Sequence, residues 1–431
     1  MEESYTCRIL DNGLTVLLKE IHTAPLISHW VWYRTGSRNE KPGKTGVSHW
    51  VEHMQFKGTD RFPDDFLDRE IARSGGYWNA FTYLDWTAFY ETMPADKIDI
   101  AIELEADRMS NSRFAPEEVE AERNVIISER EGQENDPTYR LNTAIRRAAF
   151  PTHPYGREII GELEDLSSLT RDDLYGYYTT HYTPNNAVLV MAGDFEADDM
   201  LRRIEKAYRN TPSRPVPGSH IEPEGPIAHP RTIEEYGPAD VTILQMVWRA
   251  PAGKDPDILA LAILDSVLSG PSSLNMFGRG SVSNRTSRLF RALVHSGITA
   301  GVGGGYVTTI DPYLYSFSAY LNPGHTPEEA AETVQAEIRD IIENGITASE
   351  LAKAKKQARA MFAYSCENIT NQAYWLGYSS MFADPSWYTE YTRRLEQVRA
   401  EDVSRIAKKY FSPENCVTGI YRHREQDPRI Q

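Results

Sequence analysis

The sequence predicts an α+β protein of two homologous domains, each an antiparallel-dominated sheet with helices packed on one face. Three observations carry this. At 431 residues the chain exceeds one ordinary domain and suits two of about 200 residues. A stretch holding Pro212, Pro215, Pro217, Pro223, Pro226 and Pro230 interrupts it near the middle and reads as a linker. The second half also repeats the first. Asp173-Leu174 and Tyr182–Val188 match Asp402-Val403 and Phe411–Val417 at a constant offset of 229 residues. The expected division is a domain at 1–211, a linker at 212–230 and a homologous domain at 231–431.

The elements follow from local pattern. Arg8–Leu10 and Thr15–Lys19 flank Asp11-Asn12-Gly13, a hairpin signal. Leu26–Tyr33 reads as a third strand, and a helix is expected after Gly43-Lys44-Thr45-Gly46. Pro63-Asp64-Asp65 starts a further helix that Gly75-Gly76 ends. Tyr77–Thr82 and Thr87–Thr92 read as strands. Pro94–Ser110 and Pro116–Glu131 are long helical patterns with acidic first turns, which suit a helix N-terminus. Ala187–Met191 is an apolar strand, and Asp198–Arg209 a helix. Val31-Trp32 is echoed by Val247-Trp248, each near its domain's start.

Composition narrows the function classes. Hydrophobic content of 40% supports real cores, and a net charge of −16 excludes general nucleic-acid binding, which needs a basic face. Cys7, Cys366 and Cys416 are too few and too scattered for a disulfide framework, so a reducing, cytoplasmic setting is expected. Met1–Ser4 begins no apolar signal segment, and no apolar run is long enough to span a membrane.

The chemistry is concentrated in His49-Trp50-Val51-Glu52-His53. On a helix, His49 and His53 stand four residues apart and leave one face, so one metal ion can take both imidazoles. Glu52 lies on the same side, where it can reach a water without being a ligand. Two histidines with an adjacent carboxylate suit zinc-assisted hydrolysis. Such a site needs a third protein ligand. The helix at 115–131 offers Glu117, Glu118, Glu120, Glu122, Glu129 and Glu131, and spacing alone does not choose among them. Glu122 and Glu129 are two turns apart on one face.

Three blocks resemble the pitrilysin/insulinase/mitochondrial processing peptidase family, in its short two-domain form. They are His49–Thr59 (H-W-V-E-H-M-Q-F-K-G-T), Gly75–Thr82 followed by Asp85, Thr87 and Tyr90, and Glu122–Glu129. The Tyr182–Asn186 block and its repeat fit as well. The resemblance implies zinc and cleavage of unfolded or short peptides in an enclosed chamber. By it, His49, His53 and Glu129 match the metal ligands. Glu52 matches the base that takes a proton from water. Glu122 matches a further acidic residue of the catalytic site, read as supporting it. Asn79 and Ala80 lie on the strand that resembles the peptide-binding edge, where an extended substrate adds through main-chain bonds.

The second half departs from the family. Its Arg/Tyr pair, which holds substrate and stabilises the oxyanion, is replaced in Ser287–Ala300 by Val294 and Ala300. Arg291 and Tyr306 are near but out of register. A run of Gly301, Gly303, Gly304 and Gly305 is a candidate substrate contact. Shifting the metal helix by about 216 residues lands at Asp265–Ser269, where no histidine stands, so only the first half is expected to carry zinc. The resemblance then implies a heterodimer with a homologous, metal-free subunit that supplies the Arg/Tyr pair. The competing expectations are a non-catalytic structural or binding subunit of this fold, and a homodimeric peptidase that uses Arg291 or Tyr306.

Overall fold

The computed structural model describes residues 5–64, 66–218, 220–227, 231–272 and 283–426. The readings made at Met1–Ser4, at Asp65 and at linker residues 219 and 228–230 lie outside them. The chain forms two compact units. One comprises the residues up to Glu131 with Arg157–Ile221 and Glu367–Thr389; the other comprises Gly132–Gly156, Glu222–Cys366 and the residues from Glu390 onward. The boundary near 221 falls in the proline-rich stretch, whose described residues form no helix or strand.

The first unit is built on a six-stranded sheet of β1 (Thr6–Ile9), β2 (Thr15–Glu20), β3 (Leu26–Tyr33), β4 (Tyr77–Thr82), β5 (Thr87–Pro94) and β6 (Ala187–Gly193). Their order is β1-β2-β6-β3-β5-β4, and only β2 and β6 run parallel. Its helices are α1 (Val47–Met54), α2 (Phe66–Arg73), α3 (Ile98–Asn111), α4 (Pro116–Gln133), α6 (Leu163–Ser168), α7 (Arg171–His181), α8 (Ala197–Tyr208) and, from late in the chain, α12 (Ile369–Phe382). The helix expected from Pro94 starts later, at Ile98, after a 3-10 turn.

Strand alternation sets the two faces of this sheet. Ile27, Val31 and Tyr33 of β3 join Trp50 and Met54 of α1, Ile102 and Met109 of α3, and Ile126 of α4 in one buried core. Each such side chain contributes about 1.5–3 kcal/mol on burial. Trp30 and Trp32 point the other way and meet α12, with Tyr374 at 5.7 and 5.5 Å between ring centroids. Gly377 makes this approach feasible, since a Cβ there would lie 2.0 Å from Trp32 Nε1. The expected one-faced packing therefore describes the α1 side, and a helix supplied by the second half of the chain covers the other.

The second unit carries β7 (Arg231–Gly237), β8 (Ile243–Arg249), β9 (Thr299–Tyr306), β10 (Leu314–Leu321) and β11 (Cys416–His423) in the order β7-β11-β8-β10-β9. Only β7 and β11 are parallel. The pattern repeats β2-β6-β3-β5-β4 of the first sheet. Helices α9 (Asp257–Leu268), α10 (Pro327–Asn344), α11 (Ala348–Tyr364) and α14 (Ala400–Tyr410) belong here, and the unit boundary after Thr389 falls within α13 (Ser386–Glu396). So does α5 (Pro137–Ala149) from the first half, which lies on β11 and β7. Each half thus lends one helix to the other's sheet.

Candidate metal centre

Helix α1 forms because Val47, Trp50, Val51 and Met54 share one buried stripe. Its N-cap is Gly46, at φ 84° and without a side chain to cap the first turn. The buried carboxylate of Glu40 does that work from outside. It accepts from Gly46 N and Ser48 N, both at 3.0 Å, and from Ser48 Oγ. An anion at a helix N-terminus is also favoured by the helix dipole. The opposite face presents His49 and His53, with ring centroids 4.6 Å apart.

Helix α4 runs beside it and presents Glu122 and Glu129. Glu129 Oε2 lies 3.8 Å from His49 Nε2 and 3.7 Å from His53 Nε2. One donor atom from each of the three falls within 4.8 Å of the others, the one such group of three among the described residues. Two imidazole nitrogens and a carboxylate oxygen this close together are a donor set that zinc takes, with bonds of about 2.0–2.2 Å. The donor set and its convergence on Nε2 therefore fit a zinc ion.

The surrounding groups are asymmetric. Glu122 is not at the convergence point. Its Oε1 meets His53 Nδ1 at 2.7 Å and its Oε2 accepts from Lys57 Nζ at 2.6 Å. It sits behind His53, where a carboxylate bond to Nδ1–H leaves Nε2 free for a metal. Burial opposes the charge on Glu122, but the bonds from His53 and Lys57 win and hold it down at about 2. Burial also works against protonation of His53, yet the Glu122 bond and the nearby Glu52 and Glu129 keep its pKa above the ordinary value. For His49 the pull of Glu122 is outweighed. Burial, then the neighbouring His53, lower it to about 3, so it stays in the neutral, ligating form.

Glu52 is buried, and burial pushes it up to about 7. Its Oε2 accepts from Thr82 Oγ1 at 2.6 Å. Thr82 is the last residue of β4, an edge strand paired only with β5. Asn79 and Ala80 lie earlier on that edge. Asn79 is exposed, and its Oδ1 accepts from Ala80 N at 2.8 Å; Ala80 is half-buried against the core. Sequence reasoning thus located the histidines and both glutamates of α4, but gave no role to Thr82 or Lys57, which stand inside the quoted blocks. Their roles depend on contacts distant in the chain, from Thr82 to Glu52 and from Lys57 to Glu122.

The second unit has no counterpart among its described residues. Asp265 on α9 accepts from Ser272 N, Ser272 Oγ, Ser269 Oγ and Tyr315 OH at 2.7–3.0 Å, a closed polar cluster. Arg288 is spent on Asp340 and Glu350. The glycine run forms edge strand β9. No described helix is long and apolar enough to cross a membrane.

Comparison with known proteins agrees with this layout. The family model described as Insulinase (Peptidase family M16) matches residues 15–163, and the one described as Peptidase M16 inactive domain matches 168–358. The uncharacterized zinc protease YmxG of Bacillus subtilis is 26% identical over 97% of this chain and 98% of its own length. The probable mitochondrial-processing peptidase subunit beta of Arabidopsis thaliana is 30% identical over 60% of this chain and 49% of its own length. A crystal structure of a protease from Helicobacter pylori superposes with a TM-score of 0.89 at 25% identity, covering 98% of this chain and 100% of that one. The chain belongs to peptidase family M16, the insulinase family.

Proposed function

We propose that the chain is a zinc metalloendopeptidase that hydrolyses unfolded or short peptides. The observation that carries this is the convergence of His49, His53 and Glu129 beside a buried Glu52. His49, His53 and Glu129 hold one zinc ion, which when bound supplies Lewis acidity toward water and the scissile carbonyl. Thr82 occupies one oxygen of Glu52 and leaves the other to accept the proton of the attacking water and pass it to the leaving amine. Glu122 and Lys57 fix the orientation of His53. The peptide adds to the edge of β4 past Asn79 and Ala80, and main-chain pairing there makes side-chain specificity loose.

The oxyanion half of the site is assigned to a second, homologous subunit. Val294 and Ala300 carry no side-chain donor, and one relative bears the name of a processing-peptidase subunit. The reaction then proceeds in a chamber formed by two chains. The test is Glu52→Gln in the complex with its partner. Zinc content should be unchanged and peptide hydrolysis abolished; near-normal cleavage by this variant rejects the assignment. Purified alone, the unsubstituted chain should bind zinc but cleave poorly. Full activity from a verified homodimer would reject the two-subunit reading alone.

A further inference from the structure

Resting on the metallopeptidase reading, we propose that Arg123 and Arg130 are positioning residues for the metal centre. By gripping one chain segment, 158–169, they fix α4, and with it Glu129, opposite the histidines of α1.

Each arginine directly follows one of the two site glutamates, as Glu122-Arg123 and Glu129-Arg130. The next residue on a helix is turned by about 100°. When the glutamates face the site, both arginines therefore face the neighbouring segment. Arg123 donates to the carbonyls of Leu166 and Leu169, the latter at 2.9 Å. Its guanidinium lies 4.7 Å from the ring of Trp50, a fully buried residue of α1. Arg130 donates to Gly161 O at 3.2 Å and pairs with Glu158 at 3.5 Å.

The same segment is fastened to the start of α1. Thr45 donates to Asp165 Oδ2 from its N at 2.9 Å and its Oγ1 at 2.6 Å, and its Oγ1 accepts from Glu162 N at 2.9 Å. Gly161 backs onto Gly46, where an added Cβ would lie 2.7 Å from Gly46 Cα. Both ligand-bearing helices are thus registered against one piece of chain. The chain also leaves this unit after Glu131 and returns at Arg157, so Arg130 ties the point of exit to the point of return.

The need for such a device follows from how the ligands are distributed. His49 and His53 share one helix, whose geometry sets their separation. Glu129 stands alone on another. Along α4 only Val119, Glu122 and Ile126 are buried, so the fully buried apolar contact is two side chains wide and constrains rotation about the helix axis weakly. Planar guanidinium groups bonded to carbonyls are directional and supply that constraint. Metal ligands must be held to about 0.5 Å.

The test is zinc affinity of the purified full chain, by competition with a chromophoric chelator. Arg130→Met and Arg123→Met should each weaken binding about 10–100-fold, as loss of supporting contacts does at metal sites. In a Glu129→Gln background Arg130→Met should change affinity less than about twofold, because the interaction it acts through is gone. Unchanged affinity in the otherwise unsubstituted chain overturns the proposal. So does an equal loss in both backgrounds, since that marks a general effect on folding. Should Arg130→Met not fold, Arg130→Lys serves in the same comparison, because lysine cannot reproduce the fork of donors. An unsubstituted chain that binds no zinc overturns the metallopeptidase reading and this proposal together. Intact wild-type binding with insensitive arginine variants overturns this proposal alone.

Discussion

Replacing Glu122 by Gln should weaken zinc binding about 10–100-fold, or about 1.4–2.7 kcal/mol. Both carboxylate oxygens are in use, one at 2.7 Å from His53 Nδ1 and one at 2.6 Å from Lys57 Nζ. A glutamine has one acceptor oxygen. If that oxygen faces His53, the amide NH2 meets the Lys57 ammonium donor to donor, and one charge-assisted bond worth about 1.5–3 kcal/mol is lost. If it faces Lys57, the NH2 meets His53 Nδ1. The ring proton must then move to Nε2, the atom 3.7 Å from Glu129 that a metal requires. Loss of the negative charge beside the site acts in the same direction. The assay is chelator competition on the purified chain. Glu129→Gln, which removes a ligand outright, should cost more and sets the scale. Affinity within about twofold of the unsubstituted chain would refute the claim that Glu122 governs His53.

Three further outcomes follow from the first unit's core. Gly377→Ala should destabilise by about 1–3 kcal/mol through overpacking, because the new Cβ would lie 2.0 Å from Trp32 Nε1; an unchanged thermal midpoint would contradict the packing of α12 on the sheet. Arg108→Met should cost about 3–5 kcal/mol in urea unfolding. It removes the cation that the buried Glu105 and Glu91 share; a loss below about 1 kcal/mol would show this shared contact to be dispensable. His29 is buried against Glu91, and burial lowers its pKa to about 4. Its folded pKa is therefore depressed, so the stability it contributes is present above about pH 6.5 and is lost as pH falls toward 4. The loss reaches about 3 kcal/mol, and His29→Gln should flatten the profile in that window. Parallel profiles for the two proteins would rule His29 out as the source.

Much of the site is written locally. The four-residue spacing of His49 and His53 places two imidazoles on one face of any helix those residues form. The choice between Glu122 and Glu129 is different in kind. They stand two turns apart on one face, and helical periodicity treats them alike. Only the approach of α4 to α1 gives Glu129 the Nε2 side and Glu122 the Nδ1 side of the same ring. Thr82 is similar: its hydroxyl matters because β4 ends beside Glu52.

The fold divides along the same line. Repeated blocks, alternating strands and the proline-rich break foretold two α+β halves, because local pattern sets element type and which face is apolar. Pattern does not say which sheet will cover that face. Helix α12 is buried nearly all round, which marks a helix packed on several sides but names no partner. Its placement on β3 and β6, and that of α5 on β11 and β7, come from contacts between elements far apart in the chain. What the sequence by itself determined is the donor chemistry of His49, Glu52 and His53 and the class of fold around it. What tertiary structure decided is which carboxylate stands on the Nε2 side of His53, a choice that the family resemblance implied and periodicity did not, and which helix closes each sheet. Both depend on distances through space that periodicity along one helix cannot encode.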